Sequence, residues 1–259
     1  MVPSQFCASA SCAPLNMMRT RLNRIVWKSE HVIVSALQSG KLMRRLALLL
    51  SMSLGLSLTA FGGRAVTSHS ESANQFVKTA AKALASAKSV RLSGTIRVSG
   101  GSETLDLVLF SNGDFEGSLT LQGYPVHLIV LDATDYYKAP AAWWRKALGL
   151  STTTAKEIAP YWVKAPKSAF AAIGNSFKIA ALASSLRATS GLTIVGHEKI
   201  EGQSAVGVKS SQGGVLWIAT SGAQYPISEV KAGSGGGSLT FSGWDSFALP
   251  TAPKGALSP

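Results

Sequence analysis

Between Val90 and Val130 the apolar residues keep a period of two, interrupted only at turn-forming pairs. Leu92, Ile96 and Val98 alternate with Ser93, Thr95 and Arg97, and Leu105, Leu107 and Leu109 alternate with Thr104 and Asp106. Phe115, Leu119 and Leu121 make a third such face; Val126, Leu128 and Val130 make a fourth. Successive strand side chains point to opposite sides, so the pattern predicts four strands, each with one buried face. The turns at Gly100-Gly101, Asn112-Gly113-Asp114 and Gln122-Gly123 leave room only for hairpins. The four strands are therefore consecutive and antiparallel.

The flanks of this meander switch period. Ser68-His69-Ser70-Glu71 reads as a capping box, followed by Phe76, Ala80, Ala83, Leu84 and Ala87 at helical spacing, with Lys78, Lys82 and Lys88 outside. That spacing predicts an amphipathic helix of about five turns whose Ala-rich face lies close to a sheet. Tyr136-Tyr137-Lys138 closes the meander as a short strand, and short helices follow around Trp143-Trp144, Thr154 to Glu157 and Tyr161-Trp162, broken by Pro160 and Pro166. A second helix is expected from Phe177 to Arg187, stopped by Gly191. Strands then resume at 192–196, 205–209, 215–219, 227–231 and 238–244, each bounded by Gly, Gln, Ser or Pro. The Pro-, Ala- and Ser-rich residues 251–259 are expected to form a disordered tail.

Composition agrees with one strand-rich domain, since 46% of the 259 residues are hydrophobic, 15% are charged, and 25 Gly and 10 Pro supply turns. The net charge of +12 invites a nucleic-acid reading, but it is concentrated near the start: residues 1–63 hold seven Lys and Arg against Glu30 alone. Beyond them the basic residues are scattered singly, with no run or stripe to capture a phosphate backbone, so no nucleic-acid partner is expected.

Met43-Arg44-Arg45 precedes an apolar run, Leu46 to Leu58, in the pattern of a secretory signal peptide. The run is shorter than the roughly 20 residues of a spanning helix. Its distance from Met1 points to Met43 as the true start, with residues 1–42 a mis-assigned start region and 43–65 the signal peptide. Export to the periplasm or the extracytoplasmic envelope, with membrane association open, follows from either start. Leu58-Thr59-Ala60-Phe61-Gly62-Gly63 resembles a bacterial lipobox, except that Phe61 stands at the cysteine position. Lipidation forms a thioether, which a phenyl ring cannot. Cys7 and Cys12 both precede the signal-like run, so the exported part needs no disulfides.

No catalytic constellation is legible. Gly202-Gln203-Ser204-Ala205-Val206 lacks the closing glycine of a nucleophile elbow and leads into a strand, not a helix. His69, His127 and His197 are isolated from one another and from any Cys, so no metal or other cofactor is expected. Gly233 to Ser238 lacks the Gly-Lys-[Ser/Thr] of a phosphate loop and reads as a hairpin loop. Asp106, Asp132, Asp135 and Glu201 show no spacing that pairs two carboxylates. Tyr136, Tyr137, Trp143, Trp144, Tyr161 and Trp162 either rim a cavity or cap a core; the second fits their amphipathic rings better.

Several segments, in order, resemble the LolA/LprG-like family (LppX/LprAFG type) of bacterial envelope lipoproteins and lipoprotein carriers. They are the Ala-rich helix leading into Ser89 to Thr95, Asp135-Tyr136-Tyr137-Lys138 followed by Tyr161 to Lys164, Val195 to Gln203, Val215 to Ile218, Tyr225-Pro226-Ile227 and Leu239 to Trp244. The resemblance implies an α+β fold over residues 66–250, a strongly curved antiparallel sheet forming an unclosed half-barrel wrapped over two or three helices. It further implies an apolar cavity between sheet and helices. The faces Leu105, Leu107 and Leu109, Leu119 and Leu121, and Val126, Leu128 and Val130 would then converge on a bound lipid. The function so implied is a non-enzymatic, monomeric lipid-binding protein that transports or presents an envelope lipid or acylated lipoprotein, with a membrane transporter as a further partner. The alternative is an envelope sensor or interaction module of the same fold that regulates a membrane partner.

Overall fold

The computed structural model describes residues 67–98, 101–132, 134–165, 171–233 and 236–258. The start region, the signal-like segment and Phe61 lie outside the described residues. Helix α1 (Thr67–Ser86) opens the described chain and leads into β1 (Ser89–Val98), β2 (Gly101–Phe110), β3 (Phe115–Leu121), β4 (Tyr124–Val130) and β5 (Asp135–Lys138). Helices α2 (Ala141–Leu148) and α3 (Thr152–Ile158), the short strand β6 (Val163–Ala165), and helices α4 (Ala171–Ser176) and α5 (Ile179–Arg187) follow. Strands β7 (Thr193–Ile200), β8 (Gln203–Lys209), β9 (Gly214–Ala219), β10 (Pro226–Lys231) and β11 (Gly237–Ser242) complete it.

All eleven strands form one open sheet in the order β6-β5-β4-β3-β2-β1-β11-β10-β9-β8-β7, antiparallel throughout. The chain builds outward from β1 to one edge, reappears at the other, and meanders back to β1 through β11. A connection from β6 to β7 must therefore span the whole sheet. Helices α4 and α5 lie in it, and Phe177, Ile179, Leu182 and Ala183 are buried with the inner-face residues of β1 to β4. The expected α+β half-barrel is the observed architecture. Strand β6 was not expected, because three residues at an edge carry too little alternation to be read. Tyr161 and Trp162, expected within a short helix, instead lead into it.

Two glycines explain how so long a sheet bends. Gly94 has φ +155° and Gly117 φ +142°, and a Cβ at either would lie 2.0 Å from a carbonyl oxygen of the neighbouring strand, that of Ser238 or Asp106. Only glycine allows that approach, and glycine kinks are a recognised source of sheet curvature.

Helix α1 buries Ala73, Val77, Ala80, Ala81 and Leu84, while Lys78 and Lys82 stay exposed. This stripe is rotated from the expected one, and Phe76 and Ala83 are only half-buried. The reason is a second neighbour: α1 packs along α5 as well as against the sheet. Helix α2 ends at Gly149, left-handed at φ 64°, whose N–H reaches Arg145 O; α3 starts at Ser151, whose hydroxyl accepts from the Thr154 N–H at 3.1 Å.

The C-terminal segment is not the loose tail its composition suggested. Asp245 (φ 57°) accepts from the backbone N–H groups of Lys88 and Ser89, and its own N–H donates to Ser89 O at 2.9 Å, fastening the end of β11 to the α1–β1 junction. Farther on, Leu257 donates to Trp162 O and accepts from the Lys164 N–H, both at 2.8 Å, and its side chain is 2% exposed. These bonds cover the free side of β6, where an unpaired strand would otherwise invite association. Composition failed here because one leucine and two backbone hydrogen bonds anchor a polar segment. Asp245→Ala should remove the two carboxylate bonds to the Lys88 and Ser89 N–H groups, leaving the backbone bond to Ser89 O, at a cost of about 1–2 kcal/mol. A urea midpoint equal to the parent's would show that the fastening contributes nothing.

Candidate functional site

The inner face of β2 to β4 is built by register. Leu105 pairs with Leu119 and Leu119 with Val126; Leu107 with Gly117 and Gly117 with Leu128; Leu109 with Phe115 and Phe115 with Val130. The eight residues expected to meet a lipid therefore sit on one face of three adjacent strands, Leu121 at the far end opposite Tyr124. All eight are at most 9% exposed and belong to one apolar cluster with Trp143, Trp144, Phe177 and Leu182. Gly117 places no side chain between Leu107 and Leu128, and Phe177 meets Phe115 at 5.9 Å between ring centroids.

The aromatics divide between core and rim. Trp143 and Trp144 are 3% exposed and meet edge to face at 4.9 Å, with the Trp144 indole N–H donating to Ala139 O. Burial, followed by the charge of Asp135 on the same strand, holds the Tyr137 phenol far above its ordinary pKa. Tyr137 therefore stays neutral across the physiological range. Trp162, in contrast, borders the outer face.

On that outer face a groove of about 410 Å³ crosses β1 to β4, with Val108 and Ile129 in its floor and Trp162 and Phe247 beside it. Arg91 grips Asp106 there with two hydrogen bonds of 2.7 Å, which raises the guanidinium pKa and lowers that of the carboxyl. Glu116, Ser118 and His127 add polar groups. His127 and His197 are both exposed strand residues, as expected. Among the described residues no group of three His, Cys, Asp or Glu could hold a metal, and no helix is long and apolar enough to cross a membrane.

Two inward-facing acids escaped the sequence reading. Glu103 is 6% exposed at the start of β2, where burial raises its pKa against a hydrogen bond from the Gln122 N–H. Glu229, half-buried on β10, is opposite Leu216 on one side and Leu239 on the other. Burial pushes its carboxyl up to about 7, against the opposing pull of Lys231. The signal for Glu103 was present: it falls in phase with Leu105, Leu107 and Leu109. For Glu229 it was hidden, because a register shift between Pro226 and Ser228 breaks the alternation that would have assigned its face.

No family model matches the chain, and no curated protein matches it by sequence. Solved structures do. LprF from Mycobacterium bovis superposes with a TM-score of 0.50 at 16% identity, over 70% of this chain and 97% of that one. The lipoprotein LppX from Mycobacterium tuberculosis gives a TM-score of 0.43 at 17% identity, over 70% and 99%. Pseudomonas aeruginosa MucB, solved as a complex with MucA, gives 0.33 at 16%, over 70% and 59%. The likeness to LprF establishes the fold, and it is the fold expected from the LolA/LprG-like resemblance.

Proposed function

We propose that this chain is an exported, non-enzymatic lipid-binding protein that holds acyl chains of an envelope lipid or acylated lipoprotein between its curved sheet and the helices across it, for transport or presentation. The observation that carries the reading is the inner face itself. Eight aliphatic side chains on three adjacent strands lie in one apolar cluster with residues of the helices, of which α4 and α5 belong to the one long connection from β6 to β7. Such a cover can part from the sheet without breaking any strand pairing, and the surface it uncovers is apolar. Phe177, Ile179, Leu182 and Ala183 are packed into the same apolar cluster, so acyl chains enter as α4 and α5 lift. The signal-like segment at 43–65 supports export, and its lipobox-like end with Phe61 supports release from the membrane instead of lipid anchorage.

Mass spectrometry of the natively purified protein tests this directly, with copurifying acyl chains as the expected result. Leu107→Trp and Leu128→Trp should each remove most of that lipid by filling the space it needs. Overpacking the closed state should also cost about 1–3 kcal/mol, read from the thermal midpoint. A parent protein free of lipid, with both variants strongly destabilised, would overturn the carrier reading. That outcome would favour the second reading, an envelope sensor or interaction module. The observation behind it is the outer groove, where Trp162 and Phe247 flank paired and unpaired charges in the manner of a polypeptide-binding surface.

A further inference from the structure

The apolar interior is not continuous. One cluster lies under β1 to β6 and β11, and a second joins Ala73, Val77 and Ala80 of α1 to Val206, Val208, Leu216 and Ile218 of β8 and β9. Leu186 of α5 packs against both. Glu229 stands at the seam, since its strand neighbour Leu239 belongs to the first cluster and its neighbour Leu216 to the second.

At the same place lies a small, partly open cavity of about 20 Å³ whose walls include Val77, Leu186, Leu216, Ser210 and the half-buried Glu229. That is room for one water molecule. Ser210 is 4% exposed, and its hydroxyl is buried without a hydrogen-bond partner. A methyl placed on Gly214 would lie 3.5 Å from Glu229 Oε1 and 3.8 Å from Ser210 Oγ, so both oxygens face one small volume.

We propose that Glu229, Ser210 and this cavity form a proton-operated latch, in which the neutral Glu229 carboxyl is bridged through one buried water to Ser210 and holds α1 and α5 against β8 to β10, and its ionisation opens the seam. A neutral carboxyl can donate to such a water and the serine hydroxyl can accept from it, so both polar groups are satisfied. The ionised form needs more water than the cavity holds on its inner side, and parting the two apolar clusters admits it.

The surroundings favour a neutral group. Helix α1 presents Val77 to the cavity while Lys78 and Lys82 stay exposed, and α5 presents Leu186 while Arg187 stays exposed. Strand β8 presents Val208, with Lys209 exposed, and β9 presents Gly214 and Leu216, while β11 sets Leu239 opposite Glu229 in the sheet. Lys231, two residues along β10, is the charge that acts on Glu229, and it only partly offsets burial. The folded-state pKa is thus raised, from 4.5 in the free side chain to about 7. Closure is accordingly strongest below the lower value, weakens as pH rises between the two, and levels off above the upper one.

The latch rests on the cavity and not on the lipid reading, and its test needs no lipid. Hydrogen exchange of α1 and β8 to β10 amides, corrected for intrinsic rates, should show the open fraction rising by up to about a hundredfold between pH 4.5 and pH 8. Glu229→Gln keeps a neutral amide in the same place and should abolish that pH dependence. An identical pH profile in parent and variant would overturn the proposal. Should Glu229→Gln fail to fold, the Glu229 carboxyl carbon followed by NMR in the parent decides: titration near 7 supports the latch, and titration at the ordinary value near 4.5 refutes it.

Discussion

Phe177→Ala should unfold at a clearly lower urea concentration than the parent, losing about 3–5 kcal/mol with an unchanged m-value. Phe177 is 2% exposed in the link between α4 and α5, and its ring meets Phe115 on the inner face at 5.9 Å and 55°. It fastens the crossing connection to the sheet. Truncation to alanine removes a large apolar area and leaves a hole that rigid strands cannot close, which is why the upper part of the range applies. The loss should also be local before it is global, with hydrogen exchange speeding first in α5. Phe177→Leu keeps most of the volume and should recover more than half of the loss. A shift below about 1 kcal/mol in Phe177→Ala would mean that the cover rests elsewhere and that the inner face is held by the sheet alone.

Leu257→Ala should be nearly as damaging, at about 2–5 kcal/mol, although it lies two residues from the last position of the sequence. Its side chain is 2% exposed and belongs to the main apolar cluster, and its backbone holds the free side of β6 through Trp162 and Lys164. Loss of the anchor should bare that edge, so concentration-dependent association in light scattering is expected beside the lower melting temperature. A variant that melts with the parent and stays monodisperse would return residues 251–259 to the loose tail that their composition implied. Leu249, 61% exposed in the same segment, serves as the control and should tolerate alanine with little change.

The difference between those two leucines is where sequence and structure part. Strand alternation is a local property, fixed by which residues share a face, and so β1 to β4, their hairpins and the phase of Leu105, Leu107, Leu109, Leu119, Leu121, Val126, Leu128 and Val130 were all legible. Helices α1 and α5 were legible through their period. The start of the chain carried its own signal in charge and hydropathy, and it lies outside the described residues. Absent from any local pattern was the partner of each face. The inward stripe of α1 turned because α5 shares it, β6 existed only as a neighbour of β5, and Leu257 was buried only because β6 offered it a place. Glu229 shows the same limit most plainly. The chain specifies a carboxylate among strand residues, but a bulge decides which face it takes, and two clusters separated in sequence decide that this face is an apolar seam. Local order is set by the spacing of side chains along the chain, whereas burial, edge protection and the ionisation of an inward acid are set by what comes to lie opposite, which only the closed tertiary structure determines.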